Sequence, residues 1–110
     1  MPVMVPSTDG VRVAVHEFGG SGPLLAIVHA TGMHAHSYRK VAHGLTDIRR
    51  VVGIDLRGHG DSETPDLDLA WTGMVDDCCA LLDHLGAHDP IDFVGHSMGG
   101  CTVAGTELIR

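Results

Sequence analysis

Ser97 lies in the stretch IDFVGHSMGG, where it forms a G-x-S-x-G pattern with Gly95 and Gly99. A serine hydroxyl can attack a carbonyl carbon when a base removes its proton and donors hold the oxyanion that develops. The pattern follows an apolar run and precedes a helix-like segment, as a nucleophile held on a strand–turn–helix corner requires. Small residues two positions before and after the serine let the strand and the helix approach each other. The stretch therefore predicts a serine nucleophile; the alternative is a serine that only caps a helix.

The same stretch predicts donors for an oxyanion. A helix that begins at Met98 would point its unpaired N–H groups and the positive end of its dipole at the Ser97 hydroxyl. The Met98 N–H would supply one hydrogen bond. A second N–H is expected from the loop that follows the third predicted strand.

The residues after Ser97 offer no base. They contain neither histidine nor aspartate, and Glu107, the one acid among them, falls within the predicted helix. His29 and His59 come earlier in the chain. His29 is better interpreted as a structural residue that holds its loop by side-chain hydrogen bonds, and His59 as a solvent-facing or hydrogen-bonded residue of a turn. Without a base a serine hydroxyl is a poor nucleophile, so the 110 residues alone are expected to be inactive.

The elements that must position the serine alternate along the chain. VMV and VRVAVHEF flank the turn-forming PSTDG and predict an antiparallel hairpin. LLAIVH, RRVVGIDL and IDFVGH, the last introduced by Pro90, predict three more strands, and helices are expected near 37–46, 70–85 and 98–110. Gly86 supplies a stop for the second helix. This order predicts one α/β unit over residues 1–110, a mostly parallel sheet with helices on both faces.

Composition restricts the partners. Seven Lys and Arg against fourteen Asp and Glu give a formal charge of −7, which disfavours binding to nucleic acid or to an anionic membrane. No run reaches membrane-spanning length, and the first ten residues lack the basic and apolar regions of a signal peptide. The three cysteines are an odd number, and two of them are adjacent, so disulfides are not expected. A small-molecule partner and a cytoplasmic location are expected.

Other polar patterns carry weaker signals. His34 and His36 have an H-x-H spacing that could ligate a metal ion, but no acid or cysteine lies near them in sequence, so neither a metal nor another cofactor is expected. Gly58 and Gly60 allow the backbone of RGHGDS to bend. The acidic residues of the loop that follows are expected to be solvated: Asp61, Glu63, Asp66 and Asp68.

Three segments together resemble the N-terminal part of the α/β-hydrolase fold superfamily. They are VHATGMHAHSY, similar to the family's His-Gly oxyanion loop, DLRGHGDSE, and VGHSMGG at the nucleophile, and they span residues 28 to 100. The resemblance implies that Ser97 is the nucleophile and that the backbones of Met98 and Thr31 form the oxyanion hole. Ala30 departs from the pattern, because the family usually has glycine after the loop histidine and alanine tolerates positive φ less well.

The resemblance implies a serine hydrolase, similar to esterases and lipases, that cleaves a small ester or a related acyl bond, or a C–C bond, through an acyl-enzyme. Epoxide hydrolases and dehalogenases of the same fold normally carry aspartate at the nucleophile position. The family places its triad acid and histidine later in the chain, on a sheet of eight strands under a cap. The present residues are therefore expected to supply five of those strands and to stop after the nucleophile helix.

Such a partial sheet would leave the outer edge of the fifth strand unpaired, which favours association with another chain. Two alternatives to a hydrolase fragment follow. The chain could be a small-molecule-binding module without catalysis, or a half-domain completed by another copy or another chain.

Overall fold

A computed structural model describes residues 2–66, 70–86 and 91–109. Pro90, Asp68 and the last residue of the expected third helix, Arg110, lie outside these ranges.

The described chain contains the strands and helices that the sequence predicts, in the same order. The strands are β1 (Val3–Pro6), β2 (Arg12–Gly19), β3 (Leu24–Val28), β4 (Arg50–Asp55) and β5 (Asp92–Gly95). The helices are α1 (Arg39–Leu45), α2 (Trp71–Leu85) and α3 (Met98–Ile109). A short 3-10 helix, Ala35–Tyr38, precedes α1, so the first helical segment begins earlier than the sequence predicts.

Two turns form where the sequence predicts them. Asp9 and Gly10 both have positive φ, 59° and 71°, which is typical of the tight turn that joins two antiparallel strands. Gly86 ends α2 in the left-handed conformation, with φ of 61°, and its N–H closes the last turn of the helix.

The five strands form one mixed sheet in the order β1-β2-β4-β3-β5. β2 pairs antiparallel with β1 and β4, whereas β3 runs parallel to both β4 and β5. The carboxyl ends of parallel strands lie at one edge of a sheet, which is where ligand sites form in open α/β sheets. The loops after β3, β4 and β5 therefore meet there.

Alternating residues of the sheet supply two cores. On one face of the sheet, Val51 and Ile27 pack against Ala42 of α1. The next residue, Val52, points to the other face and packs against α2 and α3. The larger core on the second side also includes Ile54, Leu56, Cys78, Leu81 and Met98. Helices thus cover both faces, as predicted, and this is the layer arrangement that a parallel sheet needs to bury its strands.

A buried ion-pair network anchors the hairpin turn to α2. The Arg57 side chain, 2% exposed, donates to Asp77 on α2 at 2.9 Å and to Asp9 in the turn at 2.8 Å. Burial lowers the pKa of Arg57, but the hydrogen bonds to the two carboxylates outweigh it and leave the pKa above its usual value. Gly73 makes room for the guanidinium, since a Cβ there would lie 2.6 Å from Nη1 of Arg57.

The described cysteines and helices were both predictable in character from composition: the cysteines are thiols and the helices are short or polar. No disulfide forms among the described cysteines, and burial raises the pKa of the Cys78 thiol to about 12. No described helix has the length and apolar character needed to cross a membrane.

Candidate active site

Ser97 occupies a sharp corner between β5 and α3. Its φ is 56°, and Asp9 is the only other non-glycine residue of the described chain with a positive φ. A residue with a Cβ pays on the order of 1 to 3 kcal/mol for such a conformation, so it persists only where the surrounding structure enforces it. The hydroxyl is on an exposed residue at the carboxyl edge of the sheet, where a substrate could reach it.

The glycines on either side of Ser97 permit the corner. A Cβ on Gly95 would lie 2.6 Å from Gly99 O, and a Cβ on Gly99 would overlap Val28 O and lie 2.7 Å from His29 O. These atoms belong to backbone, which cannot turn aside as a side chain could. The small residues that the sequence predicts are thus required by the close approach of α3 to β5 and β3.

The loop after β3 lies against the corner, as the oxyanion prediction requires. Thr31 Oγ1 donates to Met98 Sδ at 3.1 Å. The N–H groups of Thr31 and Met98 have no acceptor among the described residues. Two unpaired donors therefore lie in the segments where a developing oxyanion would need them.

Ala30 does not take the positive φ that its glycine counterpart would permit. The left-handed residue of this loop is Gly32, with φ of 77°. The substitution of alanine for the family's usual glycine therefore leaves the path of the loop unstrained.

His29 is a structural residue. It is fully buried, and its Nδ1 donates to Ala30 O at 2.8 Å, so its Nε2 is the acceptor of the Leu56 N–H at 3.0 Å. Burial lowers the pKa of His29, which keeps the ring neutral. His59 Nδ1 bonds Arg57 O at 3.0 Å. Neither histidine is hydrogen-bonded to Ser97, whose hydroxyl has no hydrogen-bond partner in the described ranges.

Asp55, at the end of β4, is a buried carboxylate that the sequence analysis did not identify. It accepts hydrogen bonds from the backbone N–H groups of Ala35 at 2.7 Å and Asp61 at 3.0 Å, and from His16 Nε2 at 2.8 Å. Because His16 Nε2 holds the proton, its Nδ1 accepts from His36 Nε2 at 3.1 Å. An acid at the end of an apolar strand and before a glycine-rich loop is the signal that could have revealed this role.

The same carboxylate belongs to the group that could hold a metal ion. The ligand atoms of His16, Asp55 and Asp61 lie within 4.8 Å of one another, and no other such group occurs among the residues described. The Asp55 carboxylate already accepts hydrogen bonds from His16 and from two backbone amides, so hydrogen bonding accounts for its place beside His16. Of the H-x-H pair, His36 reaches this group through His16 Nδ1 at 3.1 Å, and His34 is not one of its members.

Stability at low pH is expected to depend on Asp55. Burial raises the pKa of Asp55, but the hydrogen bonds from Ala35, Asp61 and His16 outweigh burial, so the pKa lies below its usual value. A depressed carboxyl pKa adds stability above the pKa of the unfolded chain, about 3.9, and that stability is lost as the pH falls through the lower folded value. Urea unfolding between pH 7 and pH 2.5 measures it.

The matched comparison is Asp55→Asn against Asp47→Asn, since Asp47 is an exposed acid in the turn that follows α1. In Asp55→Asn the free energy of unfolding should fall less steeply as the pH is lowered, and in Asp47→Asn it should fall as in the parent. The same loss of unfolding free energy at low pH in the parent and both variants would show that ionised Asp55 does not stabilise the fold.

Tyr38 and His96 form a further contact that sequence reasoning missed. The Tyr38 hydroxyl lies 2.8 Å from His96 Nδ1 and 3.0 Å from Ala30 N. Tyr38 falls inside the oxyanion-loop motif, but nothing in its spacing indicates a partner 58 positions away.

The outer edge of β5 is unpaired within the described chain, as expected. β5 pairs with β3 alone, and Val94 on it is 47% exposed. Two apolar residues at the end of α3, Leu108 and Ile109, are also exposed.

Comparisons with known proteins agree with this fold. The family model for the alpha/beta hydrolase fold matches residues 23–104. The magnesium-chelatase 30 kDa subunit of Rhodobacter capsulatus is 38% identical over 80 residues, which are 72% of this chain and 28% of that protein. A soluble epoxide hydrolase of Corynebacterium sp. is 36% identical over 81 residues, 74% of this chain and 28% of that protein.

A solved structure has the same fold. An esterase from Exiguobacterium antarcticum superimposes with a TM-score of 0.90 over 98% of this chain and 40% of its own, at 23% sequence identity, which is a likeness of fold alone. The chain thus spans less than half the length of these relatives. The chain belongs to the α/β-hydrolase family.

Proposed function

We propose that this chain is the nucleophile-bearing part of a serine hydrolase that cleaves small esters or related acyl compounds through an acyl-enzyme. The observation that carries the proposal is Ser97 itself, an exposed hydroxyl held at positive φ between β5 and α3. The unpaired N–H groups of Met98 and Thr31 support it. Strained backbone of this kind is concentrated at functional sites.

The reaction that fits these groups is acyl transfer. Ser97 Oγ attacks the carbonyl carbon and loses its proton to a general base, and the N–H groups of Met98 and Thr31 hold the negative oxygen. Collapse of the tetrahedral intermediate expels the alcohol, which takes up the proton. Water then attacks the acyl-enzyme by the same sequence of steps and releases the acid. The base and its partner acid would come from the part of the family fold that these residues do not cover.

The identity of the nucleophile favours acyl substrates over epoxides. A relative is named an epoxide hydrolase, but enzymes of that class normally attack with a carboxylate, whose ester intermediate water can hydrolyse at the carbonyl. Serine would form an ether with an epoxide carbon, which has no carbonyl to hydrolyse. Serine with two oxyanion donors is the arrangement that suits esters, and a C–C bond next to a carbonyl is open to the same attack.

Labelling with a fluorophosphonate tests whether Ser97 is activated. We expect rapid modification of Ser97 in the full-length gene product and slow modification in the 110-residue chain, because a positioned base assists proton removal. Tryptic mapping identifies the labelled serine, and Ser21→Ala, at an exposed loop serine, is the matched control. Fast labelling of the 110-residue chain would show that its own residues supply the base, and no labelling of either protein would contradict the proposal.

The unpaired edge of β5 supports a second candidate, a half-domain completed by another chain. An exposed strand edge with apolar residues beside it is a template for pairing with a further strand. Size-exclusion chromatography of the 110-residue chain distinguishes this candidate, since edge pairing requires a dimer or a complex. A monomer that binds a small molecule equally well with and without Ser97→Ala would instead indicate a binding module.

A further inference from the structure

The Tyr38 hydroxyl lies between the two segments of the candidate oxyanion hole. It accepts a hydrogen bond from the N–H of Ala30, the residue before Thr31, at 3.0 Å. It also lies 2.8 Å from Nδ1 of His96, the residue before Ser97. One hydroxyl therefore joins the loop after β3 to the corner after β5.

The proton count at this hydroxyl fixes the direction of the second bond. The Ala30 N–H already uses one acceptor position on the Tyr38 oxygen, and the single hydroxyl proton remains to be donated. His96 Nδ1 is the better acceptor, because the alternative, Met33 Sδ, is 3.6 Å away and sulfur accepts weakly. The two rings meet edge to face, with centroids 5.9 Å apart and planes at 85°, which limits movement of either.

The peptide groups before and after the Ala30 Cα are both held by hydrogen bonds. The Ala30 carbonyl accepts from His29 Nδ1 at 2.8 Å and from the Met33 N–H at 3.1 Å, and the Ala30 N–H is held by Tyr38. The Ala30 carbonyl and the Thr31 N–H belong to one peptide plane, and the Ala30 N–H belongs to the plane before it. Fixing Ala30 therefore restricts the direction in which that N–H can point.

His96 is held in the same way at the corner. Its backbone N–H donates to Val28 O at 3.1 Å, and its carbonyl accepts from the Gly99 N–H at 2.9 Å. Its ring is exposed to solvent and would be free to rotate without the Tyr38 contact.

We propose that Tyr38 is a positioning residue of the oxyanion hole: its hydroxyl holds the Ala30 peptide and the His96 ring so that the N–H groups of Thr31 and Met98 face one point beside Ser97. This inference rests on the proposed hydrolase function and deepens it. A displacement of about 1 Å in such a donor can cost on the order of a hundredfold in rate.

The ring and the hydroxyl of Tyr38 have separable roles. The ring packs against the small core of Ile27, Ala42 and Val51 beneath α1. The hydroxyl alone makes the polar contacts to Ala30 and His96. Tyr38→Phe keeps the first role and removes the second, so a loss of rate in this variant would not come from lost packing.

The experiment compares the full-length protein with its Tyr38→Phe, His96→Ala and double variants. For p-nitrophenyl butyrate, with kcat counted per labelled Ser97, we expect kcat to fall about tenfold to a hundredfold in Tyr38→Phe, with KM within about twofold. Since both residues act through one contact, the double variant should be little worse than Tyr38→Phe. Hydrogen exchange at the Ala30 amide should become faster. Thr46→Val, which deletes a hydroxyl bonded to His43 O at the other end of α1, should change none of these.

Two results would overturn the inference: a kcat per labelled serine within about twofold of the parent, or fully multiplicative losses in the double variant. If the parent protein shows no Ser97-dependent turnover, it is the proposed function that fails. In that case the hydrogen-exchange rate of the Ala30 amide tests the positioning role separately. An unchanged rate in Tyr38→Phe overturns that role, and a faster rate shows that the hydroxyl holds the loop.

Discussion

Replacing Ser97 with alanine in the full-length protein is expected to lower kcat for p-nitrophenyl butyrate by roughly 10⁴-fold to 10⁶-fold. The variant loses the atom that forms the covalent intermediate, and the residual rate comes from oxyanion donors and substrate binding alone. KM should change little, because the hydroxyl contributes to the transition state far more than to ground-state binding. Initial rates over a range of ester concentrations measure both constants.

Two controls make the result specific. Ser21→Ala removes an exposed hydroxyl from the loop between β2 and β3 and should leave kcat unchanged. A product burst equal to the concentration of Ser97 would show the acyl-enzyme directly. If Ser97→Ala retains a tenth or more of the parent activity, another residue attacks the substrate, and the proposal of a serine nucleophile is wrong.

The sequence predicts the fold well because each element carries a local signal. LLAIV and the strand before Asp55 are apolar on both faces, and Gly86 and Asp9-Gly10 mark a helix end and a turn through backbone conformations that few residues adopt. Ser97 is predictable for the same reason, since its small neighbours and its place between a strand and a helix lie within a few residues of it.

Contacts between distant parts of the chain could not be predicted in this way. His16 and Asp55 are 39 positions apart and Tyr38 and His96 are 58 apart. They meet only because the order β2-β4-β3-β5 brings together the segments that carry them. No spacing in the sequence encodes that order. A single charged or aromatic residue is also compatible with an exposed position until its burial is known.

The start of the first helix shows the same limit on a smaller scale. The periodicity of 37–46 does not include Ala35, whose N–H is held by the carboxylate of Asp55. This tertiary hydrogen bond stabilises a 3-10 turn before α1, and it also brings Tyr38 to the loop after β3. The buried acid on β4 thus supports the residue that we propose to position the oxyanion loop.

Replacing Gly99 with alanine is expected to destabilise the protein by about 3 kcal/mol, at the upper end of the range for an overpacked site. The added Cβ would overlap Val28 O and lie 2.7 Å from His29 O, so α3 must move away from the end of β3. That movement separates the Met98 N–H from the Thr31 loop, and Ser97 labelling by a fluorophosphonate should slow in the molecules that remain folded.

Gly44→Ala is the matched control, because Gly44 lies in α1 with no atom within 4 Å of an added Cβ. Alanine is the better helix former by about 1 kcal/mol, so this variant should be as stable as the parent or more so, with unchanged labelling. Urea unfolding and labelling rates of the two variants then separate a general effect of a methyl group in a helix from a collision at the corner. Equal unfolding midpoints would show that α3 can retreat from β3 at no cost, and the close approach of the helix would then not be what holds Ser97 at positive φ.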